Sequence, residues 1–276
     1  KSLYDDKQFL ANQRLMDLYY QNDSVMKVPS FGQIADLENL NAKSLVSTYH
    51  SMINEDKIDI FVLGDIDPMR AQQVVAKLPF KDRDIVNKSP LYHQALYDQV
   101  QRKTEYQQVN QAKLNLAYSL PVYYHDADYY AGLVFNGLFG GTPYSKLFTN
   151  VREKASLAYY ASSRLLPFNG IVSVQTGIQA SDQEKVQNMI QEQLIALQNG
   201  DFTTETLSEV QDSLINQYRA GHDLASNVLE QQLVTKLVNE SDKNFITEIK
   251  KVTVADVMRV AKQMKLQAVY LLSGEK

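Results

Sequence analysis

No cysteine occurs among the 276 residues. That absence excludes a disulfide framework, a thiol nucleophile and any zinc site built on thiolates. It fits a reducing compartment, and a cytoplasmic location is the expectation. Histidine is scarce too: His50, His93, His125 and His222 are the four present. None has another histidine three or four positions away, and none sits in an H-x-x-E-H or H-E-x-x-H setting. A zinc-binding helix needs two imidazoles one turn apart and a carboxylate, all facing one way. No cofactor or metal is therefore expected in this chain. Basic runs are missing, and the formal net charge is −4, which argues against nucleic acid or an anionic membrane surface as partner. Apolar runs fall far short of the ~20 residues that cross a bilayer. There is no G-x-S-x-G elbow, and "GGTPYSK" lacks the spacing and the preceding strand of a phosphate loop.

What is present is an ordinary apolar fraction of 44%, enough for a buried core. Residues 2–20 read as an amphipathic helix with Leu3, Phe9, Leu10, Leu15 and Leu18 as core candidates. Asn41 is a good N-cap for the helix "AKSLVSTYHSMI". "KIDIFVLGDID" follows as a strand apolar on both faces, then a helix over about 68–78. Residues 81–105 are polar and weakly periodic, the pattern of a linker. "QAKLNLAYSLP" alternates, with Ala112, Leu114, Leu116 and Tyr118 inward and Lys113, Asn115, Ala117 and Ser119 outward. A helix over 126–139 stops at Gly140-Gly141, with Asp126 and Asp128 favouring its start through the helix dipole. "FNG" turns the chain between two antiparallel strands. Ser181 and Glu184 form a capping box for a helix over 182–198. A long helical region covers 204–238, and a last helix from Thr253 leads into the strand "QAVYLLSGE".

One internal repeat stands out. "LNAKSLVSTYHSMINEDKIDIFVLGD" and "VTVADVMRVAKQMKLQAVYLLSGE" share a plan: N-cap, amphipathic helix, polar residues, apolar strand, then glycine and an acid. Two such endings imply the end of one domain, a linker and a second domain of the same type. The expectation is an α+β fold of tandem domains, each an antiparallel or mixed sheet packed by helices. Residues 1–80 form the end of a front-truncated first domain, 81–105 the linker, and 106–276 the complete second domain. The amino terminus has neither a methionine nor a signal-peptide pattern, so the chain reads as a piece of a longer protein.

The stretch "SKLFTNVREKASLAYYASS" passes from helix to strand with two hydrogen-bond donors at the bend. Arg152 follows Phe148 by four positions, at the margin of the apolar stripe, so its stem can pack while its head stays free. Tyr159 and Tyr160 point to opposite faces of their strand. A snorkelling arginine and a structural tyrosine explain these residues without any function. Alternatively, the arginine fork and a phenol together grip a peptide carbonyl and the oxyanion it becomes when attacked.

"LFGGTPYSKLFTNVREKASLAY" resembles L-x-G-G-x-x-x-S-R-L-F-x-x-V-R-E-K-x-x-L-A-Y of the insulinase/pitrilysin family of zinc metallopeptidases, which includes mitochondrial processing peptidases. Lys146 stands where that pattern has arginine. "QAKLNLAYSLP" and "IDIFVLGDID" are similar to family strands in order and spacing, and "LYDDKQFLANQRLMD" resembles a bacterial branch of inactive paralogues. The resemblance implies tandem domains of which the second is zinc-free, closes over a chamber and offers an arginine and a tyrosine to substrate. By motif position these are Arg152 and Tyr159. It also implies that zinc belongs to an upstream or partner domain, with a peptide as substrate and a dimer as the assembly. Two readings stay open: the substrate-closing half of a metallopeptidase, inactive alone, or a non-catalytic peptide-binding or scaffold subunit of a catalytic sibling. A plain structural module is the third, and it predicts no peptide binding.

Overall fold

The computed structural model describes residues 2–23, 25–80, 83, 85, 88–124, 126–239 and 244–274. In chain order its helices are α1 (Ser2–Asp5), α2 (Lys7–Tyr19), α3 (Ile34–Leu37), α4 (Ala42–Glu55), α5 (Pro68–Val75), α6 (Tyr129–Asn136), α7 (Gln183–Gln198), α8 (Thr204–Gly221), α9 (Ala225–Val238), α10 (Phe245–Lys251) and α11 (Val254–Ala261). Its strands are β1 (Gln101–Tyr106), β2 (Ala112–Ser119), β3 (Ala158–Leu166), β4 (Ile171–Ile178) and β5 (Lys265–Ser273). The chain divides into two compact units: residues 1–28, 91–219 and 240–276 in one, 29–90 and 220–239 in the other.

The first unit is a mixed sheet in the order β1-β5-β2-β4-β3. β1 runs parallel to β5, and the other neighbours are antiparallel. On one face Leu114, Leu116, Tyr118, Val172, Val174, Val269 and Leu271 meet Val134 and Phe135 of α6, Val186 and Ile190 of α7 and Val257 and Val260 of α11. On the other face α2 lies across the sheet, with Leu10, Ala11, Leu15 and Tyr19 against Ala117, Ile171, Ala268, Tyr270 and Leu272. The helix expected over 2–20 breaks at Asp6, whose carboxylate caps α2 by accepting from the Gln8 and Phe9 N–H groups. Asn115 and Ala117, expected outward, are buried because α2 covers that face.

Two expected boundaries differ from the packing. Residues 1–28, read with the first domain, are held to the sheet of the second by the burial of α2. The stretch read as linker ends in a strand, and Leu91 onward is fixed to the same unit. There the Tyr97 N–H donates to Gln267 Oε1 at 2.8 Å, and Gln94 Nε2 donates to the Tyr19 carbonyl at 3.1 Å.

In the second unit Asn41 caps α4 through a reciprocal bond with Ser44, and Asp67 caps α5. No described residue of this unit is buried. Ile60, Val62 and Leu63, expected in a strand, form no ladder and lie 43%, 53% and 50% exposed. Pairing requires neighbouring strands, and the described residues of this unit contain none.

Candidate functional site

The site grows from the way α6 runs into β3. After Asn136 the helix widens into a π turn, Gly137–Gly141. Gly140 lies against the outer edge of β3: a Cβ there would stand 2.5 Å from the Ser163 nitrogen. The Ser163 hydroxyl donates to Asn136 Oδ1 at 2.8 Å, so α6 closes this sheet edge. Gly140, expected with Gly141 as a helix stop, is thus set by close approach to the β3 backbone. A second π-helical segment, Leu147–Lys154, buries Leu147 and Val151 and is followed by Ser156, whose φ of 53° is left-handed. π turns of this kind are frequent at functional sites.

β3 then begins with a bulge. Ala158 pairs with Ile178 and Tyr160 with Gly177, so Tyr159 has no partner across the ladder. Ala161, Ser163 and Leu165 face the helices and are buried. Strict alternation would send Tyr159 to that same side. The bulge places Ala158 there instead and leaves Tyr159 60% exposed, re-aimed in the manner bulges allow.

Arg152 and Tyr159 consequently line one groove of about 420 Å³ with Ser156, Leu157 and Gln179, and with Glu153 and Asp182 contributing carboxylates. Arg152 Nε donates to the Tyr159 carbonyl at 3.1 Å, and its guanidinium carbon stands 4.5 Å from the Phe148 ring centroid. Among the described residues the Nη groups have no acceptor. The Tyr159 hydroxyl oxygen accepts from Gln179 Nε2 at 2.9 Å, leaving the phenolic proton uncommitted. The arrangement presents fixed donors to an acceptor in the groove. Tyr160 turns to the α2 face, where Lys113 Nζ stands 5.1 Å from its ring and burial pushes its hydroxyl up to about 12.

Gln179 was not visible as a site residue, because its approach to Tyr159 depends on the bulge. Ser181 does not cap α7. Ala180–Asp182 wind as a 3₁₀ turn, and α7 begins after Asp182 without a side-chain cap. Asp128 pairs with Arg259, and Asp126 accepts from the Tyr123 N–H. For zinc the residues do not fit: among the described residues no three His, Asp or Glu side chains converge on a metal position. The His93 ring lies 4.2 Å from that of Tyr123, tilted by 52°, while His125 lies outside the described residues.

The family described as peptidase M16 inactive domain matches residues 39–214. The chain belongs to this M16 family. It is 35% identical over 277 residues to a Bacillus subtilis (strain 168) protein named probable inactive metalloprotease YmfF, covering 99% of this chain and 65% of that one. A crystal structure of a conserved protein from Enterococcus faecalis V583 superposes with a TM-score of 0.92 at 38% identity, over 99% of this chain and 65% of the other. An M16 inactive domain from Pseudomonas fluorescens shares the fold at a TM-score of 0.76 and 18% identity, over 100% of this chain and 68% of that one. The M16 chain thus spans about two thirds of the length of the relatives it matches. No helix among its described residues is long and apolar enough to cross a membrane.

Proposed function

We propose that this chain is the zinc-free, substrate-closing part of an insulinase-like metallopeptidase, one that handles peptides and is not catalytic by itself. One observation carries this reading. Arg152 and Tyr159 stand on one groove, each oriented by a hydrogen bond, with donors left over. The two Nη groups and the phenolic O–H are left over on the same groove, and a peptide carbonyl oxygen bound there would have two lone pairs to receive them. Charge-assisted and neutral donors held in place this way stabilise charge that develops on such an oxygen. Zinc, in this reading, belongs to an upstream domain in the same chain or to a partner subunit, within a cytoplasmic dimer.

The test is peptide binding, read by fluorescence anisotropy with a pool of fluorescein-labelled random dodecapeptides. Arg152→Ala and Tyr159→Phe are each expected to weaken binding about tenfold, the loss of roughly one hydrogen bond to a charged or polar partner. Unchanged affinity in both variants rejects the assigned roles.

A second reading is a non-catalytic paralogue acting as a peptide-binding or scaffold subunit of a catalytic sibling. The name of the Bacillus relative, a probable inactive metalloprotease, favours it. Metal analysis of the full-length protein tests the first reading in the form that has zinc upstream in the same chain: stoichiometric zinc supports it, and absence of zinc rejects that form.

Tandem domains remain part of the proposal. The sequence repeat aligns Ile58–Leu63 with β5, a strand paired on both sides, whereas Ile58–Leu63 has no paired strand. We take residues 29–80 as the closing part of a preceding domain whose sheet completes that run. Amides 58–63 should exchange rapidly in this chain, and slow exchange there would count against the idea.

A further inference from the structure

We infer that Gln179 is a positioning residue: it sets the direction of the Tyr159 hydroxyl so that the phenolic proton is delivered into the groove. The inference rests on the proposed reading of Arg152 and Tyr159 as a carbonyl grip. It goes further by saying what makes the tyrosine a donor.

Three features on the hairpin combine. Gln179 directly follows Ile178, the residue paired with Ala158. The bulge turns Tyr159 out of the ladder, so its ring runs beside the Gln179 side chain rather than into the core. Gln179 Nε2 then donates to the Tyr159 oxygen at 2.9 Å. Conjugation keeps a phenolic O–H in the plane of its ring, with two orientations available. An N–H donor facing one of them blocks the proton from that side, so it occupies the other. Tyr159 also accepts from Arg152 Nε through its own backbone carbonyl at 3.1 Å. Both donors of the grip are therefore referenced to one peptide unit, and the spacing between guanidinium and phenol is set before a ligand arrives. Such preorganisation lowers the cost of ordering side chains on binding.

The experiment uses the same random dodecapeptide pool and a double-mutant cycle on the whole chain. Gln179→Glu is nearly the same size, but its carboxylate can only accept. It accepts a hydrogen bond from the phenolic O–H and so reverses the direction of the bond. Gln179→Glu should weaken binding about tenfold, as Tyr159→Phe does, while the thermal midpoint stays at the wild-type value. In the Tyr159→Phe background Gln179→Glu should cost nothing more. Any loss that does appear in that background measures the added charge acting on the peptide pool and is subtracted from the loss in wild type. Wild-type affinity in Gln179→Glu overturns the inference, because it means the amide accepts from the phenol or only packs. Additive losses, about a hundredfold in the double variant, overturn it equally. If Arg152→Ala and Tyr159→Phe both bind normally, the underlying reading fails first and the inference fails with it. Loss only on Tyr159→Phe and not on Gln179→Glu rejects the inference alone.

Discussion

Arg259 reaches from α11 to Asp128, just ahead of α6, with Nη2 2.6 Å from Oδ1; Nη1 lies 2.7 Å from Asp256 on its own helix. One guanidinium thus ties the last helix of the chain to the helix that leads into the candidate groove. The side chain is half exposed, so the tie is modest. Arg259→Ala should destabilise the fold by about 0.5–1 kcal/mol in chemical denaturation.

Asp256 gives this clip a pH signature. Its carboxyl is held down to about 2 by the Thr253 hydroxyl, the Thr253 N–H and then Arg259. The folded value lies below the ordinary unfolded value of roughly 3.9. The contribution is therefore complete above about pH 4 and is lost as pH falls through about 2. The thermal midpoint of wild type should exceed that of Asp256→Ala at neutral pH, and the gap should close across that window. A gap that stays constant down to pH 2 contradicts the assignment.

Gly140 should tolerate no side chain. In Gly140→Ala the new methyl meets the Ser163 backbone, which cannot move without opening β3. A loss of about 1–3 kcal/mol is expected from such overpacking. Thermal unfolding of the variant measures it.

Leu15 and Leu45 should differ sharply although both are helical leucines. Leu15 is fully buried between α2 and the sheet, so Leu15→Ala should cost about 2–5 kcal/mol. Leu45 on α4 is 54% exposed, and Leu45→Ala should stay within about 0.5 kcal/mol in this chain. Equal losses would show that α4 has a core the structure does not contain.

Arg152→Lys tests geometry against charge. Lysine keeps the positive charge but has no Nε donor for the Tyr159 carbonyl and no planar face for Phe148. Peptide binding should fall nearly as far as in Arg152→Ala. Wild-type affinity in the lysine variant would mean that charge alone suffices.

The sequence spoke most clearly where the cause is local. The caps at Asn41 and Thr253 need only a side chain and the next three residues, and both form as read. Ser181 shows the limit: the same pattern fails because Ala180–Asp182 already wind as a 3₁₀ turn. β1 does not read as a strand because "QRKTEY" is an edge strand, bonded among the described residues to β5 alone, and carries charge where a central strand carries apolar residues. The two-sided apolar run at Ile58–Leu63 was read for its propensity, but pairing depends on strands far away in sequence. Arg152 and Tyr159 could be named from a motif. Gln179 could not, because register across a hairpin is not written in either strand alone.

β3 has nine residues and β4 has eight. The chemistry of the groove is therefore fixed by an odd count as well as by residue identity. One residue added between Gly177 and Ile178 would give Tyr159 a partner and even the two arms of the hairpin. The phenol would then turn toward the core although every side chain of the motif was unchanged. For a chain of this family, matching letters at an arginine and a tyrosine is half of the comparison; the other half is whether the two arms of the hairpin still differ by one.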